Sequence, residues 1–401
     1  MVYRRSLAAG LAAALGFAVL LAEAGVRDLR AEAQSALPAS LADAEFWRLL
    51  EDISEPGGSF VSDNLVSNET NLSSVAAELA GKVKPGGAYL GVGPEQNFTY
   101  IAAIRPRIAF ISDIRRGNVQ LHLMYKALFE LSADRADFVS RLFTKPRPSG
   151  LTAQSTAAEL MNAYWEAPSA GEDVFRANLD AIKDVLVKRH SLPLSADDFE
   201  GVTAVYTAFY NNGPRLTYAS TLTRTAPRGV SYADLMVSVD RIIGAERSYL
   251  ATEEAFAFVK TLQQRNLIIP VVGDFAGPKA LRAIGQYLKR HGAIVSAYYL
   301  SNVEDYLIRG GVWPQFCQNA ATLPIDDASL FIRPLPIRTS FMPVMELRPA
   351  LDPQALKEAM LRGGNVTIIA APSATPSPST KGGTTQPLGA IAPEVSTCIL
   401  K

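Results

Sequence analysis

The chain has 401 residues, 48% of them hydrophobic and 19% charged, which supplies apolar material for one large domain or two smaller ones and excludes an intrinsically disordered protein. Lys plus Arg and Asp plus Glu each number 39, so the formal net charge is zero. That balance excludes the broad positive field that nucleic acid selects, and no nucleic-acid partner is expected.

The N-terminus, MVYRRSLAAGLAAALGFAVLLAEAG, places Arg4 and Arg5 before an apolar run from Leu7 to Ala22. This is the layout of a secretory signal, with small residues spaced for cleavage at Ala22-Glu23-Ala24 and Ala31-Glu32-Ala33. Residues 1–33 are therefore expected to be a signal peptide or, because the run approaches spanning length, a membrane anchor. The protein is expected to be exported, periplasmic or secreted, or tethered through this segment alone. A misassigned start codon would instead leave it cytoplasmic. Cys317 and Cys398 lie far apart and predict neither a disulfide framework nor a metal cluster.

A helical face of Phe46, Leu49, Leu50 and Ile53 follows, then a polar loop leading to a short helix that stops at Gly81. The loop holds Asp63, Asn64, Ser67, Asn68 and Glu69, a cluster that reads as turn and capping chemistry or as a lid over a ligand. The strand AYLGVG, a helix from about Pro94 to Ile104 and the buried-type strand RIAFISD form a β-α-β half-unit. The run from Asn118 to Phe143 continues as helix and TKPRPSG breaks it.

Residues 145–250 predict a mostly helical insertion between two parts of one sheet domain, 37–144 and 251–370. In the second part, Thr252 caps a helix, NLIIPVVGDF is a buried strand, and Pro278 starts a helix that ends at Gly292. AIVSAYYL and SLFIRPL are further strands, and QALKEAMLRGG with NVTIIAA closes the ordered part. Residues 371–401 are rich in Pro, Ser, Thr and Gly and are expected to be a disordered tail. The alternation predicts an α/β fold with a doubly wound, mostly parallel, Rossmann-like sheet.

Gly91 and Gly93 fall where the first strand turns into a helix, and Asp113 ends the second strand about 20 residues on. This pattern suits backbone approach to a nucleotide-like cofactor and a carboxylate on its ribose hydroxyls. Glu95, Asn97, Arg115 and Asn118 lie beside it as further cofactor-binding candidates. Arg115 and Arg116 would also suit the 2′-phosphate of NADP, or a salt bridge to Glu130 or Asp134. Asp274 and Tyr299 end later strands and are the catalytic candidates, Asp274 as a general base or as the holder of a substrate amine. Asp63, Asn64, Asn68, Glu69, Ser301 and Asn302 are the substrate-binding candidates, with helix capping the alternative for Asn302. His122, His190 and His291 show no ligand spacing, and no metal site is expected.

The glycine turn with its acid resembles the first motif of class I S-adenosylmethionine-dependent methyltransferases. LIIPVVGDF and AIVSAYY look like that fold's fourth and fifth strands. The strings YLGVGPEQNFTYIAA, DIRRGN, LMYKALFE and VVGDFAGPKALRAIGQYLK resemble an uncharacterised bacterial family of hypothetical proteins. The methyltransferase resemblance implies S-adenosylmethionine as cofactor and an unknown small molecule as acceptor. Tyr89 and Glu95 stand where the motif has an acid and a third glycine, so Glu95 either bonds the cofactor amine or obstructs the site. The export signal favours the other reading, a non-catalytic ligand- or partner-binding protein of the cell envelope. An NADP-dependent oxidoreductase is the third.

Overall fold

Helix α1 (Asp43–Ile53) forms because Phe46, Leu50 and Ile53 recur on one face and are buried together, with Asp43 and Glu45 in its first turn. The computed structural model describes residues 36–60, 62–218, 229–333 and 388–399, all within one compact unit. The signal-like segment, the helix QALKEAMLRGG and the strand NVTIIAA lie outside the described residues. No described helix is long and apolar enough to cross a membrane.

Strands β1 (Ala88–Gly91), β2 (Ile108–Asp113), β3 (Ile268–Val272), β4 (Val295–Tyr299), β5 (Leu330–Ile332) and β6 (Leu388–Ala390) make one sheet. Their order is β3-β2-β1-β4-β5-β6, parallel except for β6 against β5, so the protein is mixed α/β with a mostly parallel sheet. Every residue of β1, β2 and β3 is buried, as their unbroken apolar runs require when helices cover both faces. Pro270 is tolerated because β3 is an edge strand. That edge is shielded by the segment after α1, where Glu55 N donates to Val272 O at 2.9 Å and Ser54 Oγ accepts from Val272 N at 3.0 Å.

Two strand positions differ from expectation. The strands expected as fourth and fifth are β3, beside β2 at the edge, and β4, beside β1. The order reverses at β1, because the chain adds β2 and β3 on one side and, after β3, crosses to add β4 on the other.

Helices α2 (Leu72–Lys82) and α3 (Gln96–Ile104) flank β1 in sequence. The single helix expected after β2 is two, α4 (Arg116–Leu131) and α5 (Arg135–Phe143). Asp134 causes the break by accepting from Asp137 N as an N-cap. The stretch before β3 is helical: α6 (Ala157–Glu166), α7 (Glu172–Asp184), α8 (Ala196–Asn212), α9 (Tyr232–Met236) and α10 (Glu253–Gln264). It shares the core of the sheet, α8 lying on α4 with Phe209 edge-on to Tyr125. After β3 come α11 (Ala280–Arg290), α12 (Val303–Arg309) and α13 (Trp313–Ala320).

Residues 388–399, expected within a disordered tail, form β6 and helix α14 (Ile391–Ile399). Leu388, Ile391 and Val395 are buried there, which gives this short stretch the apolar contacts the rest of the tail composition lacks. Cys317 on α13 is disulfide-bonded, which corrects the expectation that the cysteines make no bridge.

Candidate functional site

A cavity of about 270 Å³ opens at the carboxyl ends of the parallel strands β3, β2, β1 and β4. Val92–Pro94 after β1, Ser112–Arg115 at β2, Gly273–Phe275 after β3, and Tyr299 with Ser301–Val303 at β4 supply its floor. The loop from Ser59 to Asn68 and the α12 residues Tyr306 and Leu307 supply its rim, where Phe60 meets Tyr306 edge to face at 5.3 Å. Open α/β sheets leave a crevice at such a reversal of strand order because the connections diverge to opposite faces. Gly93 has φ +73°, and Asn64 and Ser301, each at φ 50°, are the two described non-glycine residues with positive φ that line the cavity.

Nine of the expected residues line this space: Asn64, Asn68, Gly93, Asp113, Arg115, Asp274, Tyr299, Ser301 and Asn302. Asp113 and Arg115 engage each other rather than the open volume. The Arg115 Nε and Nη2 donate to the two Asp113 oxygens at 2.9 Å each, its backbone N donates at 3.0 Å, and its Nη1 reaches the carbonyls of Ser62 and Asp63. A bidentate guanidinium thus holds the carboxylate expected to grip a ribose. Arg116 pairs with Asp198 and Glu51, not with Glu130 or Asp134.

On the opposite wall Tyr299 Oη and Ser301 Oγ both donate to Glu69 Oε1, at 2.6 and 2.9 Å. Burial raises the Glu69 carboxyl above its ordinary range, and these two donors pull it back in part. Asp274 is partly exposed and its Oδ1 accepts from Ala276 N at 2.9 Å. Asn302 is the N-cap residue of α12 but its side chain makes no cap bond; it is exposed at the cavity rim.

Six expected residues stand outside the lining. Asp63 is exposed, its carbonyl taken by Arg115, and Glu69 lies behind Tyr299. Gly91 and Asn97 are partners in packing. A Cβ on Gly91 would sit 1.9 Å from Asn97 Oδ1, and that oxygen accepts from Tyr89 Oη at 2.8 Å. Asn97 Nδ2 meanwhile donates to the carbonyls of Val92, Gly93 and Pro94 at 2.7–3.2 Å. Gly91 therefore makes room for the side chain that pins the turn, not for a ligand. Asn118 is buried and neither of its amide atoms has a partner.

Glu95 faces the interior. It is fully buried, its Oε1 accepts from Ser67 N at 3.2 Å, its Oε2 has no partner, and burial pushes its carboxyl up to about 7. Beside it His122 is lowered to about 4 by burial, so the neutral ring donates Nε2–H to Gly93 O at 2.9 Å. His122 thus supports the turn from behind.

Sequence reading missed Gln96, Phe60, Tyr306 and Glu55. Gln96 is 1% exposed, lines the cavity, and its Nε2 has no partner. Its place in the first turn of the helix after the glycines is the signal that was available. Glu55 caps α11, accepting from Lys279 N and Ala280 N at 2.7 and 2.6 Å, and takes the Asp274 amide at 3.3 Å. Nothing local in the sequence links residue 55 to 280.

The fold and cavity define a mixed α/β protein with a pocket at the point where strand order reverses. Residues 64–197 and 200–348 match the model of a domain of unknown function, DUF7790, and the chain belongs to that family. The match takes in β1 through β5 and most of the cavity wall, and begins just after Phe60. No curated protein matches the chain.

Proposed function

We propose that the cleft binds a small organic molecule and that the protein is a ligand-binding member of the methyltransferase-like branch of Rossmann-type folds. The observation that carries this reading is Gln96, a buried amide on the cavity wall whose Nε2 has no protein partner. A buried donor left unmade costs about 1–3 kcal/mol, so it favours a guest that accepts from it. Support for the fold comes from the order β3-β2-β1-β4-β5 with its crevice at the reversal. The cavity is near the lower end of the roughly 300–1,000 Å³ of small-molecule pockets.

The enzymatic reading, methyl transfer from S-adenosylmethionine to a small molecule, draws support from Gly93 and Asp113, which line the cavity in the places that cofactor pattern needs. The residues fit the group poorly as they stand. Both Asp113 oxygens are engaged by Arg115, and the space at Gly91 is filled by Asn97. An NADP reading is weaker, since Arg115 is already neutralised by Asp113. Export, as a periplasmic, secreted or membrane-tethered protein, is supported by the N-terminal segment and by the disulfide at Cys317, a bond that oxidising compartments preserve.

A thermal-shift screen of small molecules that includes S-adenosylmethionine, S-adenosylhomocysteine and NADP tests this, run on the wild type and on Asn68→Trp. Asn68 is exposed and lines the cavity, so the indole obstructs it at little cost to the core. At least one compound is expected to raise the Tm of the wild type and not of the variant. Shifts identical in both proteins, or none, would remove the site. A shift with S-adenosylmethionine that Asn68→Trp abolishes would favour the enzyme.

A further inference from the structure

The charges on the described cavity wall are Asp113, Arg115 and Asp274. Two of them cancel. Arg115 spends its guanidinium on both Asp113 oxygens and on the carbonyls of Ser62 and Asp63, and the Arg115 and Asp113 side chains are only 11% and 6% exposed. Asp274 is left without an ion-pair partner among the described residues, since its Oδ1 holds only the Ala276 amide. A second carboxylate, Glu55, lies directly behind it on the Asp274 amide. At β4 the Tyr299 and Ser301 hydroxyls both donate to Glu69 and so are not offered to an anion in the cleft.

An anion in this cleft would therefore meet uncompensated negative charge, and a neutral molecule would leave Asp274 partly desolvated without a partner. The rim adds apolar surface through Phe60 and Tyr306, whose rings meet edge to face, and through Leu307 and Val312. We infer that the cleft selects an organic monocation, an amine or quaternary ammonium on an apolar body, with Asp274 as its counter-charge. This rests on the reading of the cavity as a small-molecule site and adds the class of molecule it takes. Gln96 then donates to whatever acceptor the body carries, and Arg115 stays with Asp113.

The test uses three probes of similar body and different charge: 2-phenylethylamine, 2-phenylethanol and phenylacetate, titrated by calorimetry into the wild type and Asp274→Asn. The amine is expected to bind the wild type at least tenfold more tightly than the alcohol or the acid. In Asp274→Asn, which keeps the oxygen that takes the Ala276 amide, the amine is expected to lose about tenfold while the alcohol is unchanged. Alcohol or acid binding as tightly as amine in the wild type, with Asn68→Trp abolishing it, would overturn the charge assignment and leave the site standing. An unchanged amine affinity in Asp274→Asn would do the same. No binding of any of the three by the wild type would overturn both.

Discussion

Among the described residues, two buried ion networks contrast: one borders the cavity and the other does not. Asp113 and Arg115 form the wall of the cavity. Lys126, Glu130, His190 and Asp43 form a chain beneath the sheet's helical cover: Lys126 Nζ is 2.9 Å from Glu130, and His190 bridges Glu130 at 2.8 Å and Asp43 at 2.6 Å. The Lys126, Glu130 and His190 side chains are as dry as the first pair, at 2%, 4% and 8% exposed, and only Asp43 reaches solvent, yet this network ties α1 to α4 and the helical stretch and contributes no residue to the cavity lining. Burial and shifted protonation therefore do not mark a site by themselves; adjacency to unfilled volume and to unpartnered donors does.

Breaking each network separates the two roles. Glu130→Ala removes the carboxylate that Lys126 and His190 share, leaving the buried Lys126 charge with only the Gln263 carbonyl and His190 with Asp43, and is expected to cost about 3–5 kcal/mol in urea unfolding. Arg115→Ala leaves Asp113 facing a cavity that solvent can reach, so its expected cost is smaller, about 1.5–3 kcal/mol. Equal losses would mean that the cavity wall is as closed to water as the core. Gly91→Ala drives a methyl into Asn97 and is expected to cost about 1–3 kcal/mol. In an Asn97→Ala background the same change is expected to cost measurably less, and strict additivity would remove the packing role assigned to Gly91.

The smallest effect is on pH. Hydrogen bonding to Glu130 raises the His190 pKa above 6.5, with Asp43 adding to it against burial. A group whose folded pKa is raised stabilises fully below its unfolded value and loses that contribution as pH rises through the folded one. Stability is therefore expected to fall as pH climbs above about 6.5, and His190→Asn to flatten that part of the profile. A wild-type profile that rises over this range would contradict the protonated bridge.

How far the sequence reached follows from how local each signal was. The strands were legible as unbroken apolar runs, and the glycine turn and the terminal aspartate were legible as spacing; Gly93 and Asp113, expected at one crevice, both line the cavity. The partner of Asp113 was within two residues, yet the pairing depends on the carbonyls of Ser62 and Asp63, which only the folded loop presents. Asn97 read as a polar residue near a ligand because its true partners, three carbonyls and Tyr89, appear only once the turn closes on itself. The β6–α14 segment was hidden by the Pro- and Ser-rich residues before it, which outweighed the spacing of Leu388, Ile391 and Val395. The contact of Phe60 with Tyr306 spans most of the chain and leaves no trace in either local sequence.

The most direct test is a crystal structure of the protein soaked with 2-phenylethylamine. Density for the amine in the cleft, its nitrogen beside Asp274 and Arg115 still on Asp113, is the predicted result. A crevice holding only solvent, at an amine concentration that saturates binding in solution, would contradict the account.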